Sequence, residues 1–284
     1  MTFLYAIVVS AVLLWSIPSY ASVTLPFSTT HNCAEQDQNS GGWVTCDGLA
    51  AGGGWTTSLG AVEQITTAAN YPSGGGGRGQ RHWHGNGTNN TSGSISYTIT
   101  NPSTELWARW HYRYQSGTAM ASSGGSHKVI YFRGAGCNGN SGGCYFLFDG
   151  QTALRITVAG TNFGNGGTYG WNDLMGGVNS ADGLWHCNEV HVKVVGAGTS
   201  IAQWWIDGVL RLDQSSVNFG GTGVGFDSFF LPENAVLTTP GGADMFEDID
   251  DVALQTTGPI GCLAGATSAR FDGSAHLSGG VRIQ

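Results

Sequence analysis

Apolar and polar residues alternate with a period of two through much of this chain. Between Trp107 and Tyr114, Arg109, His111 and Arg113 fall on one side of an extended segment, and Trp110, Tyr112 and Tyr114 fall on the other. Successive side chains of a strand point to opposite faces, so the aromatic side belongs in a core and the cationic side faces out. Further along, Glu189, His191 and Lys193 alternate with Val190, Val192 and Val194, and Gln203, Trp205 and Asp207 alternate with Trp204 and Ile206. If these three strands are neighbours, one sheet face collects Arg109, His111, Arg113, Glu189, His191, Lys193, Gln203 and Trp205. Such a face could grip an acidic or hydroxyl-rich polymer. The same pattern also describes an ordinary solvated sheet face.

The rest of the pattern extends the all-β reading. Strands are predicted over Ser94 to Thr100, His127 to Arg133, Tyr145 to Asp149, Leu154 to Val158, Val224 to Leu231 and Met245 to Leu254. Asn101 to Thr104 reads as a turn, and Asp207-Gly208 between apolar strands reads as a two-residue hairpin. Residues 61–71 suit either a strand or a short helix. Residues 72–79 form a glycine-rich loop expected to be flexible. It lacks the preceding strand and following helix that a phosphate-binding loop needs. Residues 163–183 form a long loop with Tyr169 and Trp171, aromatics that either stack on sugars or peg the loop to the body. Gly, Ser, Thr and Asn separate short runs rich in Val, Ile, Tyr, Phe and Trp, and the residues that build long helices are scarce.

The first 21 residues hold an apolar run, Phe3 to Trp15, too short to span a bilayer comfortably and followed by a small-residue site near Ala21. They read as a secretory signal, with a retained anchor as the alternative. The expected organisation is therefore a signal peptide at 1–21, one domain at 22–257, and a loosely ordered Gly/Ser/Ala-rich tail at 258–284. The mature protein is expected outside the cell, with no membrane contact once the signal is cleaved. Six cysteines suit that compartment. Proximity pairs Cys33 with Cys46, Cys137 with Cys144, and Cys187 with Cys262, one of 15 arrangements that six cysteines allow. No Cys-x-x-Cys pair favours zinc. A formal charge of −8 argues against nucleic-acid binding. Asn86, Asn89 and Asn90 head glycosylation sequons. His82 and His84 share a strand side and could chelate a metal with a third ligand, but read better as solvated loop residues.

Three segments carry a resemblance: Trp107 to Tyr114, the hairpin Gln203 to Val209 with its Trp-x-Asp-Gly element, and the closing Asp248-Ile249-Asp250-Asp251-Val252-Ala253-Leu254. Together, over roughly residues 40–257, they resemble the concanavalin A-like lectin/glucanase superfamily, in a polysaccharide-lyase-like or laminin-G-like form. The resemblance implies an antiparallel jelly-roll β-sandwich with a concave, ligand-facing sheet. It also implies hard-cation chemistry, so a structural calcium on Asp248 and Asp250 is the one cofactor considered, and none is required. An acidic strand that discourages edge pairing is the competing account of those aspartates. The glucanase branch places two catalytic glutamates on a Glu-x-Asp-x-x-Glu strand. Here Glu247 and Asp251 are the nearest match, the second glutamate is missing, and positions i and i+4 on a strand lie ~13 Å apart, beyond the ~5–9 Å that glycosidases use.

Three functions follow. The first is a lectin-like protein that engages extracellular polysaccharide through the eight polar-face residues named above. The second is a uronate-directed polysaccharide lyase. In that case Arg109 or Arg113 would neutralise the carboxylate, His111 or His191 would act as base, and Tyr131 or Lys193 as acid. The third is a structural or adhesive surface protein, which suits the glycine-rich, weakly charged composition.

Overall fold

The computed structural model describes residues 22–37, 44–47, 49–51, 63–84, 95–117, 119–120, 128–134, 145–150, 154–158, 161–164, 182–196, 198–217, 219, 225–231, 237–238 and 245–264. The predicted signal, the sequons, Cys137 and Cys144, most of the 163–183 loop and residues 265–284 lie outside them.

In chain order the strands begin with β1 (Ser22–Val23), β2 (Phe27–Thr29), β3 (Gln36–Asp37), β4 (Val44–Cys46), β5 (Leu49–Ala51), β6 (Glu63–Thr66) and β7 (Gly79–His84). Next come β8 (Ile95–Ser103), β9 (Glu105–Tyr114), β10 (Ala119–Met120), β11 (Lys128–Gly134), β12 (Tyr145–Gly150), β13 (Leu154–Val158) and β14 (Thr161–Gly164). The last are β15 (His186–Lys193), β16 (Ser200–Ile206), β17 (Val209–Val217), β18 (Phe226–Phe230), β19 (Leu237–Thr238) and β20 (Met245–Gln255). One sheet runs β14-β13-β12-β11-β18-β8-β5-β4, with β1 parallel to β8. The second runs β17-β16-β15-β9-β20-β7-β6-β3, with β2 beside β20. Apart from β1, the pairings are antiparallel. The protein is an antiparallel β-sandwich of jelly-roll type.

The core between the sheets is built from alternate residues. Trp110, Tyr112, Val190, Val192, Trp204, Ile206, Ile249 and Leu254 of the second sheet meet Tyr97, Ile99, Ile130, Phe132, Phe226 and Phe229 of the first. Trp204 Nε1 donates to Asn188 Oδ1 at 2.8 Å, which satisfies two buried polar groups at once. Asp207 and Gly208 both have positive φ (51° and 75°), the geometry that a two-residue hairpin between twisted strands demands.

Several segments depart from the sequence reading. Residues 61–71 are both of the predicted things in turn: β6, then a 3₁₀ turn at Thr67–Ala69. β8 continues through the predicted turn at Asn101 to Ser103, since its edge pairing with β18 extends that far. The glycine-rich loop lies tight against the body. A Cβ on Gly76, whose φ is 78°, would fall 2.1 Å from the Thr30 carbonyl oxygen, so only glycine fits there. Asp251 has φ 47° and marks a bulge between Asp250 and Ala253. At this bulge β20 changes its second neighbour from β7 to β2.

Candidate functional site

The three polar stripes lie on adjacent strands. In the second sheet, β9, β15 and β16 pair so that Trp107 stands opposite His191 and His191 opposite Gln203. One row along, Arg109 stands opposite Glu189, Glu189 opposite Trp205, and Trp205 opposite Leu210. On the other side of β9, Asp250 faces His111, and Asp248 faces Arg113 and Arg81. These side chains share the outer face of the second sheet, away from the core.

That face has a wet end and a covered end. β16 keeps the alternation of a half-exposed strand, whereas β9 and β15 are buried on both sides along nearly their whole length. The cover comes from two segments. After the 3₁₀ turn, Tyr71 lies flat on His111, with ring centroids 4.1 Å apart and planes 7° from parallel, and Trp185 packs edge-on against Tyr71. After β20, the chain doubles back over its own sheet. The Glu189 carboxylate accepts from Ile260 N (2.6 Å) and Gly261 N (3.1 Å), and Cys262 is bonded to Cys187 on β15. The described start of the predicted loose tail is therefore a strap fastened across the sheet. Cys33 and Cys46 form the other described disulfide.

At the wet end, polar groups are linked in a chain across four strands. Lys193 Nζ pairs with Glu105 Oε2 at 2.7 Å, and Glu105 Oε1 bonds His191 Nε2 at 2.9 Å. His191 Nδ1 bonds Gln203 Oε1 at 2.9 Å, and Gln203 Nε2 donates to Asp213 Oδ1 at 3.0 Å. Burial works to raise the Glu105 carboxyl, but the hydrogen bonds from Lys193 and His191 outweigh it and hold it below its usual value. Trp107 stacks on the His191 ring at 4.0 Å, and Trp205 lies 5.5 Å from Trp107. Leu210 across from Trp205 is exposed. The result is an aromatic and aliphatic platform with a fixed hydrogen-bonding edge.

The covered end is electrostatically different. Burial, aided by Arg109, pushes the His111 imidazole down to about 3. An Arg109 guanidinium nitrogen lies 3.3 Å from His111 Nδ1, so that atom accepts and the ring proton sits on Nε2. His111, a predicted base, is therefore arranged as a neutral donor. Burial also lowers Arg109, against the pull of Asp251 and Glu189. Asp250 organises the cover: it meets His31 Nδ1 at 3.1 Å and accepts from Tyr71 N and Asp251 N at 2.8 Å each.

Other predicted roles change with these placements. Tyr131 is on β11 in the first sheet, beside Phe230 and Leu147. It cannot serve as acid to His111 on the second, because alternation assigns a residue to a face and not to a sheet. Asp248 and Asp250, named as calcium ligands, both hold protein donors. Asp248 takes Arg81 (Nε 2.7 Å) and Arg113 (Nε 3.1 Å), and Asp250 holds the cover. Among the described residues, the one compact group of metal-ligand types is Cys33, Cys46 and Asp47, and its two sulfurs are already bonded to each other. His82 is fully buried rather than solvated. It belongs to a second polar row, on the inner side of the same sheet, where Glu63, His82, Glu247 and Tyr114 stand opposite one another across β6, β7, β20 and β9. His82 Nδ1 contacts Glu63 Oε1, and Tyr114 hydrogen-bonds Glu247. Burial raises Glu63 and pushes Glu247 up to about 8. Tyr71, Glu105 and Asp213 were missed as members of the outer face. Tyr71 arrives from a separate segment, while the alternation of Glu105 with Leu106 was readable.

No known family's sequence profile matches the chain, and no curated protein sequence is significantly similar to it. Solved structures of similar shape include an alginate lyase, Aly36B, in complex with an alginate trisaccharide (14% identity, TM-score 0.49, covering 81% of this chain and 98% of that one). A cellulose-induced protein, Cip1, is 16% identical (TM-score 0.49, 81% and 100%). An endo-β-1,4-glucuronan lyase from the fungus Trichoderma reesei is 15% identical (TM-score 0.48, 79% and 95%). Likenesses of this size leave the chemistry of those proteins with them.

Proposed function

We propose that this chain is an extracellular protein that engages polysaccharide on the outer face of its second sheet. The observation that carries the reading is the open platform of Trp205 and Leu210, edged by Gln203 and Asp213 and backed by the buried Trp107–His191 stack. Sugar rings present apolar C–H faces and hydroxyl rims, and a ring platform beside fixed hydrogen-bonding groups complements both. The disulfides fit an oxidising compartment. A direct test is depletion of the protein from solution by a panel of insoluble polysaccharides. Retention should fall in Trp205→Ala, and wild-type protein left in solution by every polymer would sink the reading in favour of an adhesive role.

A second reading, a polysaccharide lyase, has its own observation. Arg109 and His111 stand together beneath Tyr71, and these three are the residue types that neutralise a carboxylate and move protons in β-elimination. The names of the similar structures belong with this reading more than with a lectin. The ultraviolet absorbance of the unsaturated product would report it. A signal from wild-type protein that His111→Ala abolishes would make the chain a lyase.

A further inference from the structure

We infer that the polymer taken by this face is an uncharged polysaccharide rather than a polyuronate. The inference rests on the proposed polysaccharide binding and adds its substrate class. Capturing a uronate requires a cation whose donors are available to it. Of the outer-face cations described above, Arg81 and Arg113 share the Asp248 carboxylate, Lys193 pairs with Glu105, and Arg109 is buried beneath the cover.

Arg81 and Arg113 grip Asp248 from two sides, and one nitrogen of each also reaches Ala68 O, at 3.4 and 2.8 Å. Their flat faces are covered too, Arg81 by the Phe246 ring at 3.7 Å and Arg113 by Trp185 at 5.0 Å. Lys193 is tied to Glu105. Arg109 lies buried beneath the cover, with a guanidinium nitrogen 3.3 Å from His111 Nδ1. At Arg81 and Arg113 a uronate would have to displace the buried Asp248 carboxylate, and at Lys193 it would compete with Glu105 for a partly exposed ammonium. The sum of charges points the same way. Arg81, Arg109, Arg113, Lys193 and Arg211 stand against Glu105, Glu189, Asp213, Asp248, Asp250 and Asp251, on a chain of formal charge −8. An acidic face repels a polyanion before contact. What remains accessible is Trp205, Leu210 and the Gln203–Asp213 edge, which need only C–H faces and hydroxyls.

The test is affinity electrophoresis of the full mature protein through gels containing a neutral β-glucan, a galactomannan, alginate or polyglucuronate, at low and high salt. At least one neutral polymer should retard migration, salt should leave that retardation unchanged, and Trp205→Ala should weaken it about tenfold, the equivalent of one stacked ring. Salt-sensitive retardation by the uronate polymers in preference to the neutral ones would overturn the inference while leaving polysaccharide binding intact. So would release of unsaturated product from them. Migration unaffected by all four polymers would overturn both.

Discussion

The second sheet carries a polar row on each side, and the two rows obey different rules. The inner row, Glu63–His82–Glu247–Tyr114, is sealed in the core, and its carboxyls are pushed up by burial. The outer row, Lys193–Glu105–His191–Gln203–Asp213, alternates donors and acceptors in partial contact with water, and its Glu105 is pulled down by its partners. Similar residue types therefore yield a protonated acid on one side of a sheet and an ionised one on the other. Solvent access decides which term wins: desolvation dominates inside, while hydrogen bonding and opposite charge dominate outside.

The contrast can be broken most forcefully at Asp248, which is fully buried yet faces outward and holds two guanidiniums. Asp248→Asn should destabilise the protein by about 3 kcal/mol, because it leaves Arg81 and Arg113 without their carboxylate. The shift in the urea midpoint measures this, and a change below 1 kcal/mol would mean that the arginines find other partners. Next in size is the pH dependence of stability. Glu247 is held near 8 in the folded protein against a usual 4.5. The folded state keeps a proton that the unfolded chain releases, so stability should fall as pH rises from 4.5 to 8 and level off above. His111 acts in the opposite sense. Its imidazole is held near 3 against a usual 6.5, so stability should fall as pH drops from 6.5 toward 3. Unfolding midpoints across pH should flatten on the alkaline limb in Glu247→Gln. If that limb kept its slope, another group would own it. The smallest effect belongs to the outer row. Glu105→Gln should change stability by about 0.5 kcal/mol, and less still at high salt, since partly exposed pairs are weak and screened.

Much of the framework was legible because alternation is a local signal. β9, β15, β16, the Asp207-Gly208 hairpin and β20 all fall where the pattern puts them. The site was legible only in part, since its character depends on contacts between distant segments. Arg109, His111 and Glu189 do share a face, yet Tyr71, Trp185 and the strap at 258–264 cover that part of it, and nothing near Arg109 in sequence announces a cover. Asp248 and Asp250 read as hard-cation ligands because their donors, Arg81, Arg113, His31 and the Tyr71 amide, come from far along the chain. His82 read as solvated because glycines precede it, while its burial comes from pairing with Glu63 and Glu247. Tyr131 was misplaced for a related reason: periodicity fixes a residue's side of a strand and leaves the sheet undetermined.

Among the described residues β20 is the last strand in sequence, but it lies inside the second sheet, between β9 and β7. During synthesis, neither flank of that sheet can close until residues 245–255 have left the ribosome. A message truncated upstream of them would yield two open strand edges rather than a shorter sandwich, and open edges invite pairing with other chains. The Cys187–Cys262 bond forms later still, so it marks a finished sheet: only a chain translated past residue 262, with β20 already available to both flanks, can carry it.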